Sequence, residues 1–406
     1  MQAVEQTAQT RPDWSTSMEL IKSHIQEQLE HIDPSTLSEA DVARYFSVIT
    51  TTLTPEQEQR IRTPANTHPR QHSVLAVHWH PEFVPLPLIR ERIEQTFPQK
   101  REELIIPTQH NILLDYDGYA GVEVDCYSRG FNQKVQLLLH FPSGKVAEAP
   151  VLKAMLEHTF HYRSSQLFDF LHTLTKPEQE RLHKAAKATG ADEDLVRFTQ
   201  AHARKIQRML EEYYEQTPTE SIKNKLIRNY FDLLRDEYGD PLIERAQTFL
   251  KAVKNEVKAH FSLRYFYRTS EIIEEARALG AGIVIPHPEQ FWPILLAEYD
   301  VDGYEVWNPQ SQRYTDFLIS VVNRKNTVLS ASQRPLLIFM GDDTHMGEKV
   351  KAPGERKEEK AKREIGVQPA WDDLLISKTL VKACAGKDAV IRAYKQRLDT
   401  SNTARQ

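Results

Sequence analysis

The sequence predicts an α/β protein, on three observations. Short apolar runs bounded by Gly, Pro or polar residues read as buried strands, among them Val74–Val77, Glu103–Ile106, Val135–Leu139 and Gly282–Ile285. Helical patterns separate several of these runs, which is the rhythm of a parallel α/β arrangement. Most informative is the stretch Pro335–His345, where the apolar run Leu336–Met340 stops abruptly in Gly341-Asp342-Asp343-Thr344-His345. Residues two apart on extended backbone point the same way, so Asp343 and His345 can face one cation just past a strand end.

A chain of 406 residues with 40% hydrophobic and 27% charged residues can bury a substantial core, as one large domain with insertions or as two to three average ones. The formal net charge of -5 provides no global basic field for nucleic acid, although local basic patches remain open. Two cysteines, Cys126 and Cys384, are too few for a disulfide framework or a thiolate zinc site. Neither a signal-peptide pattern at the first residues nor an apolar run of membrane-spanning length is visible, so a cytoplasmic location is expected.

Residues 1–71 read as a helical N-terminal cap, with one helix over Met18–Leu29 and another over Ser38–Thr51. The strand Val74–Val77 runs straight into His78-Trp79-His80, whose alternating imidazoles share a side. The strand Glu103–Ile106 leads to Thr108-Gln109-His110-Asn111, and Gly121–Asp125 carries Glu123 between valines, where a carboxylate faces solvent or is buried with a cation. Val135–Leu139 follows, holding Gln136 and ending at His140. Residues 150–262 then change to long helical patterns and read as an insertion that could serve as a lid, a partner-binding arm or a homo-oligomer contact. The α/β rhythm resumes with a helix capped by Ser270, the strand Gly282–Ile285 and Pro286-His287-Pro288, whose flanking prolines fix the backbone around His287. Gly303–Trp307 with Asn308, a helix to about Lys325 and the strand before Gly341 complete the second part, 263–346. Residues 347–406 read as a basic loop and a C-terminal helical segment; from Met346 to Arg363 there are seven Lys/Arg against four Glu, most simply a solvated helix.

Polar residues thus recur at strand ends: His78 and His80, His110, Glu123, His287, Asn308, and Asp343 with His345. Carboxyl ends of parallel strands converge on one face. Five His, one Glu and one Asp gathered there predict a multinuclear site for divalent cations, with imidazole favouring Zn, Mn or Fe.

In these motifs the chain resembles the PHP (polymerase and histidinol phosphatase) superfamily over 72–149 and 263–346. His78-x-His80 is similar to its first motif and Thr108-Gln109-His110-Asn111 to its Thr-Asp-His-Asn. Gly121-Val122-Glu123 resembles the strand whose carboxylate bridges two metals, His287-Pro288 the Ala-His-Pro motif, and Gly341–His345 the Gly-Ser-Asp-Ala-His motif. The resemblance implies a distorted seven-stranded β/α (TIM-like) barrel, here with a long helical insertion, that hydrolyses phosphoesters with up to three metals. It implies a first metal at His78, His80, Glu123 and Asp343, a second at Glu123 and His287, and a third at His110 and His345. The chain departs from the pattern in offering only Glu82 as an acidic residue soon after His80, in Gln109 for Asp, and in Gln136 where a strand His ordinarily binds, with His140 a nearby substitute. One to three metals are therefore expected.

The expected activity is metal-dependent phosphoester hydrolysis, with Asp342 or Asp343 orienting water, and His345 or His287 protonating the leaving oxygen. Arg264 and Arg268 are candidate phosphate contacts by position. The substrate is a phosphorylated small molecule or a nucleic-acid end; the run Arg264-Tyr265-Phe266-Tyr267-Arg268 and the basic segment after His345 favour a nuclease. The rival is a metal-binding interaction module with reduced turnover.

Overall fold

The computed structural model describes residues 32–403 apart from 331, 332, 355 and 384, so the expected helix Met18–Leu29 lies outside the described residues. The chain divides into two compact units, one containing the described residues up to Thr50 with Arg163–Phe261, the other Thr51–Tyr162 with Ser262 onward.

The first unit is helical. Glu39–Ile49 starts at a capping box in which Ser38 and Asp41 each accept the other's backbone N–H. Asp192 caps Glu193–Glu212 through Leu195 N, and Gly190, at φ 68°, closes Gln179–Thr189 in the left-handed conformation that a helix end requires. Within this region of long helical patterns Lys225–Asp232 and Arg235–Tyr238 are separate short helices, and Asp240–His260 follows. Their apolar faces bury Phe198, Met209, Tyr230, Phe231 and Phe249 in one core.

Among its described residues the second unit holds ten strands: β1 (Ser73–Ala76), β2 (Trp79–His80), β3 (Glu102–Ile105), β4 (Leu114–Tyr116), β5 (Tyr119–Ser128), β6 (Gln133–Pro142), β7 (Gly282–Ile285), β8 (Gly303–Trp307), β9 (Leu337–Met340) and β10 (Thr344–His345). They form three sheets: β1 with β3, β2 with β10, and a six-stranded sheet in the order β4-β5-β6-β7-β8-β9. This corrects two expectations. The sheet is mixed rather than parallel, since β4 through β7 pair antiparallel and only β7-β8-β9 run parallel. Nor, among the described residues, is there a closed seven-stranded TIM-like barrel, because no ladder there joins β9 to β1 or β3 to the large sheet.

Side chains and single bridges stand in for the missing ladders. Gln368 Nε2 donates to Leu75 O of β1 at 2.7 Å and approaches Asp342 Oδ2, just past β9, at 3.3 Å. His110 and Glu123 make an isolated bridge between the loop after β3 and β5. Gly121 permits that approach: a Cβ there would meet Pro107 O at 2.4 Å. Beneath, the helix Lys387–Thr403 packs on β1, β3, β6, β7 and β9. Its Tyr394 hydroxyl lies 2.7 Å from His140 Nδ1, and a Cβ on Gly282 would meet that hydroxyl at 2.3 Å. Valines and leucines of the six-stranded sheet make the core beside it.

Candidate metal centre

Local backbone explains how distant residues converge. His78 follows β1, His80 ends β2, and the parallel β2–β10 register sets His345 directly beside His80. Glu123 sits mid-way along β5 with His110 bridged to it, His287 follows β7, and Asp343 follows β9. Two of these positions carry the left-handed backbone that branched-at-Cβ chains avoid, His287 at φ 27° and Asp343 at φ 47°.

All seven predicted ligands come together. His80 is stacked between His110 and His345, at ring-centroid distances of 4.5 and 4.4 Å. Asp343 Oδ1 stands 3.4 Å from His80 Nε2, 3.4 Å from His345 Nε2 and 3.8 Å from His78 Nε2. Glu123 reaches His110 Nδ1 at 2.5 Å with one oxygen and His287 Nε2 at 3.5 Å with the other. Three triads have ligand atoms within 4.8 Å of one another: His80-His110-His345, His78-Glu123-His287 and His78-His80-Asp343.

A surrounding set of polar side chains aims these groups. Glu305, within β8, accepts from His78 Nδ1 at 2.6 Å, which leaves Nε2 turned to the cluster, and Asn308 Nδ2 donates to its other oxygen at 2.9 Å. Gln310 and Arg363 both donate to Asp343 Oδ2, at 2.8 and 2.9 Å, and Arg363 also holds the Asp343 carbonyl at 3.1 Å. Glu82 lies 3.4 Å from His345 Nδ1. Gln109, where an Asp was the familiar residue, accepts Glu82 N at 3.1 Å.

Electrostatics follow from burial opposed by charge. Burial alone would depress His78, but Glu305, then Asp343 and Glu123, raise it to about 10. Burial, with His345 and His110 alongside, drives His80 down to about 3. Glu123 and Asp343 are held well below the usual carboxylate range despite burial, by His110 and His287 for the first and His345 and His80 for the second. Both nitrogens of His80, Nε2 of His78 and Nδ1 of His287 are nonetheless buried without a hydrogen-bond partner among the described residues. Buried polar atoms are rarely left so, and imidazole nitrogens and carboxylates converging at these distances fit a divalent cation.

Other predicted residues lie elsewhere. Asp342 turns away from the cluster, accepting from Thr344 N, Gly366 N and Gln368 Nε2, and burial pushes it up to about 7. His140 has both nitrogens taken, by Tyr394 Oη and Val77 O, so it does not replace the ligand that Gln136 lacks. Arg264 and Arg268 line a separate cleft that contains none of the seven. Sequence reasoning missed Arg363 and Gln310: Arg363 sits in a basic run with the local look of a solvated helix, yet it is 7% exposed.

No family model matches the chain, and no curated protein matches it. Among solved structures, one from Bifidobacterium adolescentis, described as a "putative metal-dependent phosphoesterase", is 15% identical and aligns over 72% of this chain and 92% of that one at a TM-score of 0.35. A likeness that loose transfers no residue and no activity. Among the described residues no helix is long and apolar enough to cross a membrane.

Proposed function

We propose that the cluster binds divalent metal and that the protein hydrolyses phosphoesters there. The carrying observation is the convergence of His78, His80, His110, Glu123, His287, Asp343 and His345, with buried nitrogens of His78, His80 and His287 that no group among the described residues satisfies. Imidazole with carboxylate favours Zn, Mn or Fe. The phosphoester part rests on the resemblance of the motifs that supply these residues. Bound metal would supply Lewis acidity toward a phosphoryl oxygen and a more acidic water.

The chain's own residues do the rest. Glu305 fixes the tautomer and aim of His78. Arg363 and Gln310 bind one oxygen of Asp343 and so present the other to the three imidazoles. Where fewer than three metals bind and His345 is left uncoordinated, its side chain, 19% exposed against 6% for His287, is the better placed of the two to hand a proton to a leaving oxygen. Asp342, with its oxygens engaged elsewhere, positions backbone and takes no part in orienting water.

The test is elemental analysis of wild type and Asp343→Ala prepared identically, followed by a panel of phosphomonoesters and phosphodiesters. Near-stoichiometric metal and hydrolysis in wild type, both lost in the variant, are expected; metal in neither sinks the reading. The commitment of His140 to Tyr394, beside Gln109 and Gln136 in place of ligands, favours as second reading a metal-binding module without turnover, for which metal would be present and no ester cleaved.

A further inference from the structure

Arg363 is held from behind by a buried network. Lys349 Nζ donates to Ala361 O at 2.8 Å and to the carbonyl of Arg363 itself, and it stands 3.3 Å from Glu364 Oε2. Glu364 is gripped in turn by Arg92, whose Nε and Nη2 reach its two oxygens at 2.7 and 2.5 Å. Backbone fixed in this way delivers the Arg363 side chain to Asp343.

The two buried arginines use their guanidinium groups differently. Arg92 turns its Nε–Nη2 edge to Glu364, and that edge, with two parallel N–H bonds, fits two oxygens of a carboxylate or a phosphate. Arg363 touches Asp343 through Nη1 alone, 2.9 Å from Oδ2 and 3.1 Å from the carbonyl. Its Nε is buried without a partner, and Nη2 has none among the described residues. The edge that Arg92 uses is thus free on Arg363, although only 4% of that side chain is exposed. A buried charged donor left unpaired is costly, which points to a ligand.

That edge belongs to the mouth of the cluster. Asp343 Oδ2 also accepts from Gln310, an exposed residue, while Oδ1 faces the three imidazoles. Nη1 and Nη2 share one carbon, so an acceptor bonded to Nη2 at ~2.9 Å stays within ~8 Å of Oδ2. A carboxylate would turn both oxygens to such an edge and have none for a cation. A tetrahedral phosphoryl group can give two oxygens to the edge and still present another to the cluster.

We propose that the Nε–Nη2 edge of Arg363 grips the phosphoryl group of the substrate, a role that rests on the hydrolytic reading of the cluster. The test is titration calorimetry of full-length protein in metal excess, with inorganic phosphate as the probe. Arg363→Lys keeps a donor for Asp343 but lacks the edge; Gln310→Ala removes the other bond to that carboxylate and keeps the edge. Phosphate should bind Arg363→Lys roughly tenfold or more weakly than wild type, at the same metal content, and Gln310→Ala should lose far less. Equal affinity in wild type and Arg363→Lys overturns the proposal. An equal loss in both variants does so too, because Arg363 would then act only by holding Asp343. A second measurement needs no metal in the variant. In the nitrogen–proton spectrum of arginine side chains, the Nε–H resonance missing from Arg363→Lys should move when phosphate is added to metal-loaded wild type; a resonance that stays in place overturns the proposal. The two readings fail separately. Wild type that takes up no metal refutes the centre itself, whereas metal and hydrolysis in wild type beside a phosphate affinity indifferent to Arg363→Lys refute the edge alone.

Discussion

Glu305→Gln tests the centre without removing any proposed ligand. The side chains of His78 and Glu305 are both 1% exposed, and the contact is 2.6 Å. At that distance a full charge pair is worth up to ~6 kcal/mol at an effective dielectric near 20, before the desolvation that offsets most of it. What metal affinity feels is the remainder that passes through the ring: the carboxylate makes Nε2 more basic and holds its direction. Outer partners of this kind typically set 10- to 100-fold in affinity, ~1.4–2.7 kcal/mol. Glutamine keeps the shape and the bond to Asn308 but loses the charge. The assay is metal competition against a chromophoric chelator, with thermal unfolding of the metal-free protein as a check on folding. Affinity within twofold of wild type, in a variant that remains folded, would refute the assignment of Glu305 as the group that aims His78.

Gly341→Ala reaches the same carboxylate from the other side: its Cβ would stand 2.0 Å from Glu305 Oε2, so metal affinity should fall at least as far as in Glu305→Gln, and equal affinity would contradict the packing. Saturating metal, at 100 times its Kd, should stabilise the folded protein by ~2.7 kcal/mol and raise the unfolding midpoint of this unit by ~5–10 °C, read by calorimetry with and without chelator. In the helical unit, burial among Phe198, Tyr230, Phe231 and Tyr238 lowers His202 to about 3. The unfolded chain takes up that proton below ~6.5 while the folded chain excludes it, so stability is complete above that pH and falls as pH drops, by ~2 kcal/mol at pH 5. His202→Phe should flatten that part of the profile in denaturant titrations at pH 5 and 7; an unchanged slope would rule His202 out.

Strand-end ligands were legible because their signal is local: an apolar run, a stop, and His or Asp two apart. Strand direction was not, although two signals for it stood in the chain. Asp117 and Gly118, both with positive φ, join β4 to β5 as a tight hairpin, and β5 is linked to β6 by only the residues 129–132. A parallel pair needs a crossover of about a dozen residues, so each connection demands antiparallel strands. The expectation of a parallel sheet took no account of these short connections, and the barrel was implied by the resemblance of the motifs. Arg363 was illegible for a different reason. Its neighbours Lys360 and Lys362 make the run look solvated, and what buries it is the carboxylate and carbonyl of Asp343, twenty residues away.

Non-glycine residues with positive φ point to the same place. Of the six among the described residues, Glu82, Asn111, His287 and Asp343 lie in or against the cluster. Each such residue costs ~1–3 kcal/mol and persists only where its surroundings hold it. The holds are visible in three of the four. Gln109 accepts Glu82 N, Asn111 exchanges two bonds with Asp125, and Arg363 grips Asp343 by both carbonyl and carboxylate. At His287 the flanking prolines restrict the chain instead. Gln109 and Arg363 therefore have a purpose that their positions in the sequence do not announce: both keep strained backbone in place so that neighbouring side chains converge. A fold selected for stability alone would relax these turns and pair the buried imidazoles of His78, His80 and His287 with protein groups. Keeping both costs makes sense where a bound cation offsets them.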